Sequence, residues 1–239
     1  MVRAGADRHL RQRPPDSAAW SAADGRAQMR RYLLWDHDGV LVDTEKWYFR
    51  STRECLAGIG CELDHATYLR FMSSGGSCWD LARQRGVSDE VIARARSERD
   101  RLYQHFLCTE PIEIDGVVEV LRQLRDRYEM AIVTDSRRED FELIHRSRCI
   151  SGFFDFVITI EDCERPKPNP DPYREALRRF GADPGEAVAI EDSSRGLRSA
   201  MGAGVDCVIV ASAFTASEDF SDAWRVVDDL RELPDLLSA

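Results

Sequence analysis

Tyr32-Leu-Leu-Trp-Asp36-His37-Asp38-Gly39 is the stretch from which the fold can be read: four apolar or aromatic residues run directly into two acids two positions apart and a glycine. A run this short, bounded by an acid, suits a buried parallel strand better than a helix. Outward from it, similar runs recur at 130–134 (MAIVT), 156–159 (FVIT), 187–191 (AVAIE) and 207–210 (CVIV). Helix-period segments lie between them at 117–127, 140–149, 172–180 and 194–202. Strand alternating with helix predicts an α/β protein built on a doubly wound parallel sheet.

The interval from Glu45 to Thr109 breaks this rhythm. It has no strand-like run and carries amphipathic helical stretches at 45–57, 65–72, 78–85 and 89–106. About 65 residues exceed one crossover helix, so a helical subdomain over 45–111 is predicted to be inserted after the first strand. The remaining core then comprises 29–44 and 112–239. Hinges are expected at 42–45 and 109–115, where Pro111 fits a connection rather than a helix interior.

Composition narrows the function classes. The chain has 239 residues, 43% hydrophobic and 32% charged, an ordinary globular balance. A net charge of −10 disfavours nucleic acid and anionic membrane as partners. The apolar runs are also too short to cross a bilayer. Residues 1–31 hold seven arginines against three aspartates, about +4, leaving about −14 on the rest. Residues 1–28 read as a disordered arm without the apolar region of a secretory signal, and a translation start near Met29 is the preferred explanation. The seven cysteines (55, 61, 78, 108, 149, 163, 207) form no C-x-x-C pair. They read as reduced thiols of a cytoplasmic protein, monomeric or dimeric.

Ligands of open parallel sheets bind beyond the carboxyl ends of the strands. Those ends carry Asp36 and Asp38, then Thr134-Asp-Ser136, then Glu191-Asp192, with Lys167 in Arg165-Pro-Lys-Pro-Asn-Pro170 after the third strand. Carboxylates gathered at one rim repel one another. A divalent cation relieves this, and hard oxygen ligands suit Mg²⁺. A lysine, a threonine hydroxyl and turn amides are suitable partners for a phosphoryl group. One aspartate could attack phosphorus, and a carboxyl two residues away could serve as acid and then base.

These motifs, D-x-D-G-V-L-V-D-T-E at 36–45, T-x-S at 134–136, R-P-K-P-N-P-D-P-Y at 165–173 and E-D-S-S-R-G-L-R-S-A-M-G-A-G at 191–204, together resemble the haloacid dehalogenase-like hydrolase superfamily. The resemblance runs from about residue 31 to 233. It implies a Rossmann-like core, with the 45–111 insertion similar to the helical cap of the β-phosphoglucomutase and phosphoglycolate phosphatase branch. It further implies Asp36 as nucleophile and Mg²⁺ ligand, and Asp38 as general acid/base that also offers its main-chain carbonyl to the metal. Thr134 then binds the transferring phosphoryl group, Lys167 balances charge, and Asp192, with Glu191 beside it, completes the metal site. Asp38 argues against the dehalogenase branch, which lacks it. Lys46, at the hinge, is a poor match for the Schiff-base lysine of the phosphonatase branch.

The expected activity is hydrolysis of a small phosphorylated metabolite through an aspartyl-phosphate. A phosphomutase is the nearest rival, and a non-catalytic phosphometabolite-binding protein is a rival of another class. Ser136, Arg137 and the cap-loop residues Ser74 and Gly75 are the expected substrate contacts. Asp135 is unfavourable beside a phosphate unless it pairs with Arg137 or Arg138. Asp43 reads as a helix N-cap. Trp47, Tyr48 and Phe49 read as cap core. His37 reads as a packing or hydrogen-bonding residue pointing away from Asp36 and Asp38, because strand side chains alternate.

Overall fold

Burial on both faces is what an unbroken apolar strand requires, and the central strands meet that requirement along most of their length. The computed structural model describes residues 30–146 and 148–238; the expected arm over 1–28 lies outside them. The strands are β1 (Tyr32–Trp35), β2 (Glu129–Val133), β3 (Phe156–Ile158), β4 (Ala187–Glu191), β5 (Asp206–Val210) and β6 (Arg225–Val227). They form one parallel sheet in the order β3-β2-β1-β4-β5-β6. Trp35 pairs with Ile132 on one side and Ile190 on the other, which brings the acidic ends of β1 and β4 level with Thr134.

Side-chain alternation divides the core. Leu33, Trp35, Met130, Ile132, Val188 and Ile190 face one layer, with α5 (Val117–Arg125), Phe141 of α6 (Arg138–His145) and Leu233 of α9 (Leu233–Leu236). Leu34, Ala131, Val133 and Ala189 face the other, with Tyr173 and Leu177 of α7 (Asp171–Phe180) and Leu197 of α8 (Ser194–Gly202). The strand β6, absent from the sequence reading, is an edge strand of three residues, two of them exposed, so it lacks the apolar run that betrays an inner strand.

Between β1 and α5 the chain forms α1 (Glu45–Gly58), α2 (His65–Ser74), α3 (Asp80–Gln84) and α4 (Asp89–Thr109). Asp64 and Ser88 cap α2 and α4 with their side chains. Gly75, at φ 70°, ends α2 in the left-handed conformation that glycine adopts without steric penalty. Asp43 is not the cap of α1: Thr44 occupies that position and turns its hydroxyl to Asp38, while Asp43 pairs with Lys46. The four helices enclose their own core around Leu56, Tyr68, Trp79 and Ile92. Phe214, from the loop after β5, joins it, 4.5 Å from the His65 ring and 6.0 Å from Tyr68.

The connections to the sheet lie side by side. Asp43 N–H donates to the Ile112 carbonyl at 2.9 Å, and Val42 bridges Glu113. Among the described residues no helix is long and apolar enough to cross a membrane.

Candidate active site

Asp36 follows the last residue of β1, and its main-chain N–H bonds to Ile190 of β4 at 2.8 Å. The strand pairing therefore sets its position before any side-chain contact does. Its carboxylate accepts from Lys167 Nζ at 2.8 Å. The same ammonium donates to Glu191 Oε1 at 2.7 Å and to the Val133 carbonyl at 2.8 Å, so all three donors are used. Lys167 is only 3% exposed. Burial alone would favour its neutral form, but the charges of Asp36 and Glu191 outweigh this and hold it protonated, its pKa raised.

Glu191 also accepts from the Tyr173 hydroxyl at 2.5 Å. Burial, reinforced by Asp36 and opposed by Lys167, pushes it up to about 7. Asp36, Glu191 and Asp192 offer oxygens all within 4.8 Å of one another, and all three are buried. Burial first, then the charges of Asp36 and Glu191, push Asp192 well above the usual carboxylate range. That repulsion, in an all-oxygen setting, fits a hard divalent cation. Two glycines make the room: a Cβ at Gly39, whose φ is +86°, would lie 2.1 Å from Asp192 Oδ2, and one at Gly196 would lie 1.9 Å from the Glu191 carboxyl.

Asp38 is held by donors on both oxygens. Oδ2 accepts from Ser136 Oγ at 2.6 Å, Thr134 Oγ1 at 3.1 Å and His37 Nδ1 at 3.2 Å, and Thr44 donates to Oδ1. Burial would raise its pKa, but His37 and these hydrogen bonds outweigh it and hold the carboxyl well below the usual range. His37 therefore does not point away from Asp38. Alternation would hold along a continuing strand, but β1 ends at Trp35 and the turn brings the ring back.

Asp135 pairs with neither Arg137 nor Arg138. It accepts from the Lys167 main-chain N–H at 3.2 Å and lies 3.0 Å from Arg195. Burial disfavours the Arg195 charge, but Asp135, Glu45 and Asp36 outweigh this and hold it protonated. Arg137 bonds to Asp140 at 2.8 Å and to Asp100 of α4 at 3.0 Å, so it ties α6 to the helical insertion. It also stands at the rim of the cavity described next.

The strand ends and the helical insertion enclose a cavity of about 420 Å³, within the range of small-ligand sites. Asp36, Asp38, Thr134, Ser136, Lys167 and Asp192 line its floor. Ser73, Gly75, Gly76 and Ser77 of the predicted cap loop reach it, whereas Ser74 is exposed and donates to the Phe71 carbonyl at 3.0 Å. A Cβ at Gly75 would lie 2.9 Å from Pro168, so this loop touches the segment that carries Lys167.

The opposite wall holds groups that the sequence reading did not identify. Tyr68 donates to Glu45 at 2.6 Å, and burial pushes Glu45 up to about 7 against that bond. Arg99 lies 4.4 Å from the Tyr48 ring centre and donates to Asp100 at 2.8 Å. Tyr48 thus faces the cavity as well as the insertion's core. On helices such polar residues read as a solvated face; only Arg195, inside the E-D-S-S-R motif, had a sequence signal nearby.

The family model for haloacid dehalogenase-like hydrolases matches residues 33–210. Protein CbbY of Cereibacter sphaeroides is 30% identical over 219 aligned residues, covering 84% of this chain and 93% of the relative. Pyrophosphatase PpaX of Bacillus velezensis is 31% identical over 216, covering 86% and 94%. A crystal structure of a CbbY variant from Rhodobacter sphaeroides in complex with xylulose-(1,5)bisphosphate superposes with a TM-score of 0.74 at 27% identity, covering 86% of this chain and 96% of that one.

Proposed function

This chain belongs to the haloacid dehalogenase-like hydrolase family, and we propose that it is a Mg²⁺-dependent phosphatase that hydrolyses a small phosphorylated metabolite through an aspartyl-phosphate on Asp36. The observation that carries this reading is the pairing of two differently held aspartates on one turn. Asp36 lies against Lys167 and the acidic cluster, and Asp38 is free of both and surrounded by hydroxyl donors.

Asp36, Asp192 and the Asp38 main-chain carbonyl, with Glu191 beside them, would hold a Mg²⁺ ion, which would supply the positive charge that lets a carboxylate meet an anionic phosphoryl group. Thr134, Ser136 and Lys167 bind the phosphoryl oxygens. Asp36 attacks phosphorus, the ester bond breaks with its electron pair going to the ester oxygen, and that oxygen takes a proton from Asp38. Asp38 is ionised in the resting site. It takes up its proton with the first substrate, because an anionic group arriving beside it favours the neutral form. In the second half Asp38 accepts a proton from water as the water oxygen attacks phosphorus. The Asp36–phosphorus pair returns to the carboxylate and inorganic phosphate leaves; Asp38 keeps the proton gained from water when a new substrate takes the place of the phosphate, and ionises when the site stays empty.

Residues 45–111 form the cap, set in the core predicted over 29–44 and 112–239. The cap excludes bulk water from the aspartyl-phosphate. Its loop at 73–77, with Gly75 foremost, and Arg137 at the rim select the substrate. The relatives point to the same class: the CbbY structure holds a sugar bisphosphate, and PpaX is named a pyrophosphatase.

The test is release of phosphate from p-nitrophenyl phosphate and from sugar, glycolate and nucleotide monophosphates, with Mg²⁺, with EDTA and with Asp36→Asn. Metal-dependent release abolished by the substitution is expected. An isomeric sugar phosphate in place of free phosphate would make the chain a mutase, and binding without turnover would make it a binding protein.

A further inference from the structure

His37 is fully buried and makes two contacts in line. Nδ1 lies 3.2 Å from Asp38 Oδ2, and Nε2 lies 2.9 Å from Nε2 of His145, the last residue of α6. Phe141, one turn before His145 on α6, packs on both rings, with centroids 5.0 Å from His37 and 4.4 Å from His145. The imidazole is thus boxed between a phenyl ring and a second imidazole, and its orientation is not free to vary.

The hydrogen positions follow from the contacts. An ionised carboxylate can only accept, so His37 Nδ1 carries a hydrogen and donates it. At 2.9 Å the two Nε2 atoms share a single hydrogen, since one on each would collide. His145 therefore engages the far nitrogen of His37 while the near one serves Asp38. Burial first, then the neighbouring His37 and Arg148, push His145 down to about 3, in keeping with a neutral ring.

The consequence appears when the other donors to Asp38 are followed through the reaction. Thr134 and Ser136 both bond Asp38 Oδ2 in the resting site, and both are the proposed phosphoryl-binding hydroxyls. Once they turn to the phosphoryl group, Oδ2 keeps His37 alone and Oδ1 keeps Thr44. We propose that His37, braced by His145, is a positioning residue that fixes the Asp38 carboxyl in the orientation needed for proton transfer to and from the reacting oxygens. This rests on the phosphatase reading above, and it adds a role for the variable position of the first motif and for His145, which lies outside all four.

The experiment compares kcat/KM for p-nitrophenyl phosphate and phenyl phosphate, with Mg²⁺, in the wild type and in His37→Leu, His37→Asn and His145→Leu. This quotient reports the steps up to departure of the phenol. Nitrophenolate leaves well without a proton, whereas phenolate needs one, so a misplaced acid is felt on the second substrate only. In His37→Leu we expect a fall of about tenfold on phenyl phosphate and under about twofold on p-nitrophenyl phosphate. His37→Asn places an amide N–H near the position of Nδ1 and restores most of the loss. His145→Leu leaves the donor in place but unbraced and shows a smaller fall with the same selectivity.

Equal falls on both substrates, or none on either, would overturn the proposal while wild-type turnover left the phosphatase reading standing. His37→Asn and His145→Leu decide the matter if His37→Leu does not fold. A wild type without metal-dependent turnover on either ester would overturn the phosphatase reading and this proposal with it.

Discussion

The two walls of the cavity hold their polar groups in different ways. On the core side the acids stand at strand ends, and three of them lie against a cation: Asp36 and Glu191 on Lys167, Asp135 on Arg195. On the cap side the groups come from helix faces and lie against aromatic side chains: Glu45 under Tyr68, and Arg99 beside Tyr48 as well as paired with Asp100. The core wall is built to keep a charge pattern constant, as a chemical step common to many substrates requires. The cap wall can change residue by residue without disturbing the sheet, as selection of one substrate requires.

The largest effect should come from breaking the core wall at its one shared cation. Lys167→Met leaves Asp36 and Glu191 buried without it. We expect a loss of kcat of about a thousandfold or more, and destabilisation of about 3–5 kcal/mol in urea unfolding. An unchanged unfolding midpoint would mean that the two walls are equally tolerant. Gly39→Ala is a narrower test of the same wall. Its Cβ would need a positive φ and would fall 2.1 Å from Asp192 Oδ2. The Mg²⁺ concentration for half-maximal rate should rise about ten- to a hundredfold, and an unchanged metal requirement would take Asp192 out of the metal site.

The cap wall should respond more gently and with a pH signature. Glu45 titrates near 7 in the folded chain against an ordinary value near 4.5. A group whose folded pKa is raised contributes stability that is present below its unfolded value and lost as pH rises through the folded one. The Glu45 contribution therefore declines between about pH 4.5 and 7. Glu45→Gln should melt like the wild type near pH 5 and a few degrees higher near pH 8. Its rate on p-nitrophenyl phosphate should change less than that of either core variant. A melting difference that does not depend on pH would show that burial does not raise Glu45.

How much of this was legible in the sequence follows the same division. The apolar runs ending in Asp36, Thr134 and Glu191 announce both the inner strands and the rim, because one physical cause, a buried strand meeting solvent at its end, produces both signals. The edge strand at 225–227 was illegible because an edge needs no apolar run. Glu45, Tyr68 and Arg99 were illegible because a polar residue on a helix looks alike whether it faces water or a cavity. The direction of His37 is illegible because strand alternation ends with β1 at Trp35, and His37 lies two residues on, in a turn where that rule does not hold.

The most direct test of the central claim, that Asp36 carries the phosphoryl group between two half-reactions, is rapid acid quenching of the working enzyme followed by mass spectrometry of the peptide containing Asp36. The account predicts a phosphorylated peptide that appears within the first turnover, decays with steady-state kinetics, and is absent from Asp36→Asn. A chain that releases phosphate with no phosphorylated peptide at any time, and with inversion rather than retention of configuration at phosphorus, the mark of a single displacement, would contradict it.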